Sequence, residues 1–171
     1  GRTWETLDGR NIYMSLLLKP KLLPEKISPV TLVAALAAQQ AVSRITGMQS
    51  QVKWPNDLVI NGKKICGILT EMSSQVDFIN YVVIGIGINV NATFFEGELS
   101  DKAESISHLS GNKVRRSELI AEFLNAFEPL YDCFEKEGSI EFMKEAYQQV
   151  LVNKDRHVTV LGAESSFDGI A

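Results

Sequence analysis

The sequence predicts an α+β domain in which a largely antiparallel sheet carries its helices on one side. Short strand patterns joined by tight turns fill residues 51–90, and such hairpins give antiparallel pairing rather than a doubly wound parallel sheet. An alanine-rich helix pattern precedes these strands and amphipathic helix patterns follow them. The 171 residues, 45% of them apolar and 22% charged, are enough for one domain with a hydrophobic core.

The first strand is predicted over residues 11–18, where every second residue is apolar. A loop with three prolines follows. Ser28 is expected as the N-cap of a helix, with Pro29 at its first position. This helix is expected to end near Thr46, because Gly47 can adopt the left-handed conformation that closes a helix.

The central hairpin is predicted around Asn61-Gly62, since both residues tolerate positive φ in a two-residue turn. A short strand over 58–60 enters the turn, and a longer strand over 63–72 returns from it. A further strand is expected over 81–90. Together these segments form an antiparallel meander.

The strand over 81–90 has one β-branched face and one bare face. Its even positions are all valine or isoleucine, which predicts a face buried in the core. Its odd positions include Gly85, Gly87 and Asn89, and the two glycines leave bare backbone. Strand geometry alone leaves two explanations open. Either a helix packs closely over the glycines, or a flat ligand lies on them with Asn89 at its polar edge.

Three lysines, Lys53, Lys63 and Lys64, bring positive charge into this largely apolar hairpin. A cation in a partly dry site is costly unless an anion pairs with it, so a bound phosphate or carboxylate would explain Lys53 and Lys64. The alternative, favoured for Lys63, is that the side chain extends to solvent from a strand end. Asp57 is either a general base or a residue that stabilises its turn.

The alternation rule complicates a single site for Lys64 and Gly67. These residues have opposite parity on one strand, so their side chains point to opposite faces of a regular sheet. A ligand that meets both must therefore contact the backbone of Gly67, or a β-bulge must lie between the two residues.

Composition and motifs disfavour several other functions. The net charge of −4 argues against a nucleic-acid-binding surface. Cys66 and Cys133 lack CxxC spacing and fit the reduced thiols of a cytoplasmic protein, and the two histidines are isolated. The Gly85-x-Gly87 pair lacks the third glycine and the following helix of a dinucleotide-binding fold.

The C-terminal part predicts two helices, over 117–137 and 139–150, followed by two short strands. The pattern changes near 152–156, so we expect one domain over residues 1–153 and the start of a second over 154–171. The sequence begins without methionine and stops within an alternating pattern, which suggests a piece of a longer protein.

Three ordered segments resemble the catalytic domain of biotin protein ligases: KWPND at 53–57, NGKKICGILTE at 61–71 and VIGIGINVN at 83–91. The opening GRTW at 1–4 is similar to the end of that family's biotin-binding loop, and the tail at 158–171 to the start of its SH3-like C-terminal domain. The resemblance implies a fold like that of class II synthetases, with a mixed, largely antiparallel sheet and helices packed on one side.

The resemblance implies a biotin–[biotin carboxyl carrier protein] ligase. Such an enzyme uses ATP and Mg²⁺ to convert biotin into biotinyl-5′-AMP, then transfers biotin to a lysine of the carrier protein. A homodimer is expected, and DNA is a partner only if a winged helix precedes this segment, as in members that repress the biotin operon. The alternatives are a lipoate-protein ligase-like enzyme and a non-catalytic biotin-sensing module of a regulator.

By position, the resemblance assigns Lys64 to the biotin carboxylate and acyl phosphate, Lys53 to the ATP phosphates, and Asp57 to the acceptor lysine. Asn56 is expected near phosphate or Mg²⁺, and no residue is a certain metal ligand. The remaining residues expected to contact biotin or the adenylate are Arg2, Trp4, Gly67, Gly85, Ile86, Gly87 and Asn89.

Overall fold

The computed structural model describes residues 9–95, 97–162 and 165–171. Within them, five strands form one antiparallel sheet: β1 (Ile12–Leu18), β2 (Gln51–Lys53), β3 (Asp57–Ile60), β4 (Lys63–Ser74) and β5 (Ile79–Ile88). A separate sheet pairs β6 (His157–Leu161) with β7 (Ser166–Ile170). The α-helices are α1 (Val30–Thr46), α2 (Ile106–Ser110), α3 (Arg116–Glu137) and α4 (Lys144–Val150). The predicted α+β class is confirmed.

The strand order of the larger sheet is β1-β5-β4-β3-β2. The chain runs through β3, β4 and β5 as the predicted meander, and β5 then pairs with β1. Parallel pairing in the described part of the chain is confined to two isolated bridges, Val52 to Leu151 and Lys64 to Ala103. The first bridge fastens the end of α4 to the short edge strand β2.

One face of the sheet forms the core. A row of paired residues crosses all five strands on this face, and each is buried: Ile12, Ile88, Cys66, Leu58 and Val52. Helix α1 contacts β2, β3 and β4 on this side, and α3 packs against α1. The alanines of α1 are fully buried, because a methyl side chain lets a helix lie close against a sheet.

Glycines end the two long helices as predicted. Gly47 after α1 and Gly138 after α3 have φ of 70° and 63°, in the left-handed region. The start of α1 differs by one residue, since Pro29 is the N-cap and no side chain caps the helix. The single helix predicted over 139–150 is instead a 3₁₀ turn followed by α4. No helix among the described residues is long and apolar enough to span a bilayer.

We expect Phe123→Ala to destabilise the fold by about 3–5 kcal/mol, because the substitution leaves a cavity in the core. Phe123 is fully buried in α3 and stacks on Phe127, with ring centroids 5.6 Å apart. The adjacent Leu124 is 40% exposed, so Leu124→Ala should cost less than about 1 kcal/mol. Urea unfolding measures both values, and equal losses would contradict this account of the core.

Candidate functional site

A second row of paired residues crosses the sheet on the face opposite the core. It consists of Tyr13, Gly87, Gly67, Asp57 and Lys53, one from each strand. Directly opposed residues of an antiparallel sheet point to the same side, so this row places two glycines between a tyrosine and a charged pair. We call the surface formed by Gly67, Gly85 and Gly87 the glycine face.

The glycine face is open at Gly85. A Cβ atom added there would meet one described atom within 4 Å, the carbonyl oxygen of Leu69 at 3.7 Å. Its paired neighbours on either side, Ser15 and Leu69, are exposed. Of the two explanations for the glycines, close packing of a helix is therefore wrong for Gly85 among the described residues. Gly67 and Gly87 are buried, and a flat ligand on this face stays a prediction.

A β-bulge brings Lys64 to the glycine face. The pairing of β3 with β4 shifts after Leu58, so that β4 holds one extra residue, Ile65, between Lys64 and Cys66. An extra residue reverses the side-chain alternation beyond it. The ammonium of Lys64 accordingly lies 2.5 Å from Oδ1 of Asp57, in the row that contains the glycines.

The Lys64–Asp57 ion pair is only partly shielded from water. The Lys64 side chain is 37% exposed and that of Asp57 is 24% exposed. Ion pairs with this degree of exposure contribute about 1 kcal/mol or less to stability, because water screens them and ordering the side chains costs entropy. The pair holds the two groups in place, yet a competing charged ligand can separate them.

Main-chain hydrogen bonds fix the backbone at the bulge. The Lys64 amide donates to the carbonyl of Lys102 at 2.8 Å, and the Glu104 amide donates to the carbonyl of Lys64 at 3.0 Å. Asn89 donates its main-chain amide to the carbonyl of Ile65 at 2.8 Å and its side-chain amide to the carbonyl of Lys64 at 3.4 Å. The observed contact of Asn89 is thus to the bulge, and its contact with a ligand stays a prediction.

Asn56 fixes the turn that precedes Asp57. Its side-chain amide donates to the carbonyl of Ile68 at 2.8 Å, and the Ile68 amide donates back to the carbonyl of Asn56 at 2.9 Å. The peptide bond between Trp54 and Pro55, in the same turn, is cis. The side-chain oxygen of Asn56 is the atom of this residue that suits a metal ion, because hard cations bind oxygen.

Lys63 is directed away from Asp57 and toward another carboxylate. Its ammonium lies 3.8 Å from Oε2 of Glu104, whose Oε1 is 2.9 Å from Nδ1 of His108 and accepts the Ser105 amide at 3.0 Å. Burial opposes ionisation of Glu104. The hydrogen bonds from His108 and Ser105, with the charges of His108 and Lys63, outweigh burial and hold the pKa of its carboxyl below the ordinary value.

Cys66 lies beneath the site, on the core face. Burial raises the pKa of its thiol to about 12, with Lys64 lowering it and Asp57 raising it to smaller extents. A thiol with so high a pKa is protonated at neutral pH, and the thiolate is the reactive form. Cys66 is therefore a structural residue.

A basic cleft lies beyond the ends of β1 and β5 and was missed by the sequence analysis. Its volume is about 910 Å³, and its described lining residues include four cationic ones and no acidic one: Arg10, Lys113, Arg115 and Arg116. Arg116 donates to the carbonyl of Asn11 at 3.1 Å, which ties the start of α3 to β1. The basic run at 113–116 was the available signal, but it does not reveal that Arg10 joins it.

The structure brings together most of the predicted site residues that it describes. The glycine face lies beside Lys53, Asp57 and Lys64. The Ile86 side chain is 2% exposed on the core face, so only its main chain borders the glycine face. Arg2 and Trp4 lie outside the described residues. The roles assigned to all these residues stay predictions.

The fold and the site define a domain whose antiparallel sheet carries a glycine face beside Lys53 and Lys64. The family model of the biotin/lipoate A/B protein ligases matches residues 1–89. The chain belongs to this family, which confirms the predicted fold and resemblance.

Curated and structural relatives carry biotin ligase names. The chain is 43% identical over 150 residues to the bifunctional ligase/repressor BirA of Bacillus spizizenii, which covers 85% of this chain and 46% of that protein. The BirA of Bacillus subtilis is 41% identical with the same coverage, so the chain spans less than half of these relatives. The Aquifex aeolicus biotin protein ligase in complex with biotin and ATP matches with a TM-score of 0.85 and 27% identity, over 99% of this chain and 69% of that one.

We expect Glu104→Gln to lower stability at pH 7 by about 1 kcal/mol, since it removes charge-assisted hydrogen bonds. The folded-state pKa of Glu104 is lowered, so its ionised form stabilises the fold above the unfolded pKa of about 4.3, and this contribution is lost as pH falls through the folded value. Urea unfolding between pH 7 and pH 3 should show that the difference in unfolding free energy between the variant and the parent protein decreases as the pH falls. A gap that is constant with pH would contradict the prediction.

Proposed function

We propose that the protein is an ATP-dependent biotin–[biotin carboxyl carrier protein] ligase. In the first step the biotin carboxylate attacks the α-phosphate of ATP, forming biotinyl-5′-AMP and releasing pyrophosphate. In the second step the amine of the acceptor lysine attacks the acyl carbon, and AMP leaves. The observation that carries this proposal is the glycine face, open at Gly85, that ends at the Lys64–Asp57 pair. The biotin ligase names of the relatives support it.

The proposed reaction needs positioning and charge neutralisation rather than a protein nucleophile. The uncharged ring system of biotin would lie on the glycine face, with its carboxylate directed to Lys64. A lysine ammonium at this point would offset the negative charge that develops between the carboxylate and the α-phosphate. Lys53, exposed and opposite Asp57, would contact the ATP phosphates at the same end of the row.

The basic cleft supplies additional positive charge for the nucleotide. Asn91 lines the cleft and follows Asn89 on the same segment, so the cleft adjoins the end of the glycine face. Arg115 pairs with Glu118 at 2.9 Å, and the remaining cations of the cleft would add to the positive potential that attracts ATP, whose phosphates we assign to Lys53.

Mg²⁺ would be held mainly by ATP. The described residues contain no group of three or more His, Cys, Asp or Glu side chains that could bind a metal ion. Mg²⁺ keeps several waters and commonly binds substrate phosphates with one or two protein oxygens. The side-chain oxygen of Asn56 is the protein group that we propose for it, and the ion would neutralise phosphate charge.

Other predicted properties concern the whole protein. We propose that the β6–β7 hairpin begins a second, SH3-like domain over residues 154–171, after a catalytic domain over 1–153. The carrier protein is the proposed acceptor, and homodimerisation and a cytoplasmic location are proposed with it. The ligase/repressor names of the Bacillus relatives make DNA binding a property to test in the full-length protein.

We expect Lys64→Ala to reduce biotin-dependent pyrophosphate release by about 10²-fold or more, because preorganised charge at the reacting oxygens is lost. Lys63→Ala removes the same charge from the neighbouring position and should leave the rate within about threefold. Lys63 pairs with Glu104 instead of facing the site, which makes it a matched control. Full activity of Lys64→Ala would refute the role of Lys64. Activity with lipoate but not biotin would assign the protein to lipoate ligation.

We expect Gly85→Val to weaken biotin binding by about tenfold or more, since a branched side chain would occupy the surface on which the ligand lies. The fold should tolerate the change, because space is open at Gly85 and valine favours strands. Tyr81→Val, on the same strand and face but beyond the glycines, should bind biotin normally. Calorimetric titration with biotin measures both. Unchanged affinity in Gly85→Val would contradict a ligand on the glycine face.

A further inference from the structure

Asp57 binds a lysine side chain in this structure. Its Oδ1 lies 2.5 Å from the Lys64 ammonium, and both side chains remain partly exposed to solvent. The acceptor in the proposed reaction presents the same chemical group, a lysine ε-ammonium. The Asp57 carboxylate can therefore pair with the ammonium of the acceptor lysine. In this structure it pairs with Lys64 of its own chain instead.

We propose that Lys64 occupies the place of the acceptor lysine at Asp57 until an anionic group of the bound ligand, the biotin carboxylate and then the acyl phosphate, draws Lys64 away. This inference rests on the proposed ligase function and concerns how its two steps are ordered. The anionic acyl phosphate replaces Asp57 as the partner of Lys64. Asp57 is then free to bind the incoming lysine.

The geometry allows this exchange by side-chain rotation alone. The backbone of Lys64 is fixed at its amide by Lys102 and at its carbonyl by Glu104. The backbone of Asp57 is fixed by its pairing with Gly67 on one side and Lys53 on the other. Lysine carries a point charge on a flexible four-carbon stem, so Lys64 can turn from Asp57 to a ligand on the adjacent glycine face without backbone movement.

Among the described residues, Lys53 is a second cation on the side of Asp57, directly opposite it on the edge strand β2. Lys53 is exposed and is the residue that we assign to the ATP phosphates. The anionic groups of the bound substrates therefore provide partners for both lysines. Asp57 then loses its ion pair with Lys64 before the acceptor reacts.

The transfer step balances with Asp57 as the first proton acceptor. The acceptor ammonium gives one proton to the Asp57 carboxylate, and the neutral amine attacks the acyl carbon of biotinyl-5′-AMP. A carbon–nitrogen bond forms as the bond from the acyl carbon to the phosphate oxygen breaks, and AMP leaves with that electron pair. The second amine proton passes to the leaving phosphate. The products are an amide and AMP.

The test measures what the acceptor lysine contributes to binding before and after adenylate formation. The full-length protein is titrated with unbiotinylated biotin carboxyl carrier domain, and with a variant of that domain whose acceptor lysine is methionine. Each titration is done without ligand and with a non-reactive biotinyl-adenylate analogue that has a sulfamide linkage. The ratio of the two dissociation constants gives the contribution of the acceptor lysine to binding.

In the parent protein, the two carrier domains should bind equally without the analogue, within about twofold, and the lysine form should bind about tenfold tighter with it. Lys64→Met should give the lysine form an advantage of about fivefold or more without any analogue, because Asp57 is then unoccupied by Lys64. Lys63→Met removes a positive charge from the same strand but leaves the Lys64–Asp57 pair in place. This variant should behave as the parent protein does.

An equal lysine advantage in the parent protein with and without the analogue would overturn the inference. So would a folded Lys64→Met variant, with unchanged unfolding, that shows no lysine advantage. Failure of the parent protein to form biotinyl-5′-AMP would remove the proposed function and the inference together. Formation of biotinyl-5′-AMP with either of the first two results would leave the ligase function standing and remove only the inference.

Discussion

The β-bulge at Ile65 is the constraint on which the site depends. In a regular strand Lys64 would point to the face opposite Gly67, beneath α1, where an unpaired ammonium is costly to bury. With the extra residue, Ile65 is fully buried in the core and Lys64 reaches the glycine face. Asn89 holds the bulge through the carbonyls of both residues. The bulge is therefore part of the site.

The structure gives two consecutive lysines different carboxylate partners. Lys63 pairs with Glu104, which belongs to the segment that braces β4, and this pair serves the fold. Lys64 pairs with Asp57 in the row of glycines, and this pair is the candidate for chemistry. A sequence shows two adjacent cations, whereas their different partners follow from the register of β3 with β4 and from the position of the later Glu104 segment.

Local signals predicted the fold well, and long-range register limited the prediction of the site. The alternation of β5 and the Asn61-Gly62 turn are properties of neighbouring residues, and each was predicted correctly. The bulge depends on how β3 pairs with β4, so the sequence only raised it as one option. At the basic cleft, a hydrogen bond links Arg116 to Asn11, 105 positions apart, and no local pattern encodes that contact. Helix α2 was missed because five residues carry too little periodicity.

The order of groups along the glycine row suits a ligand that is uncharged at one end and reactive at the other. Tyr13 and the glycines offer a surface without charge, and Asp57 and Lys53 provide charge of both signs at the opposite end. A fully buried ion pair there would resist substitution, because separating buried charges is costly. A partly exposed pair can instead exchange partners when an anionic ligand binds. The degree of exposure of Lys64 and Asp57 therefore matters as much as their distance.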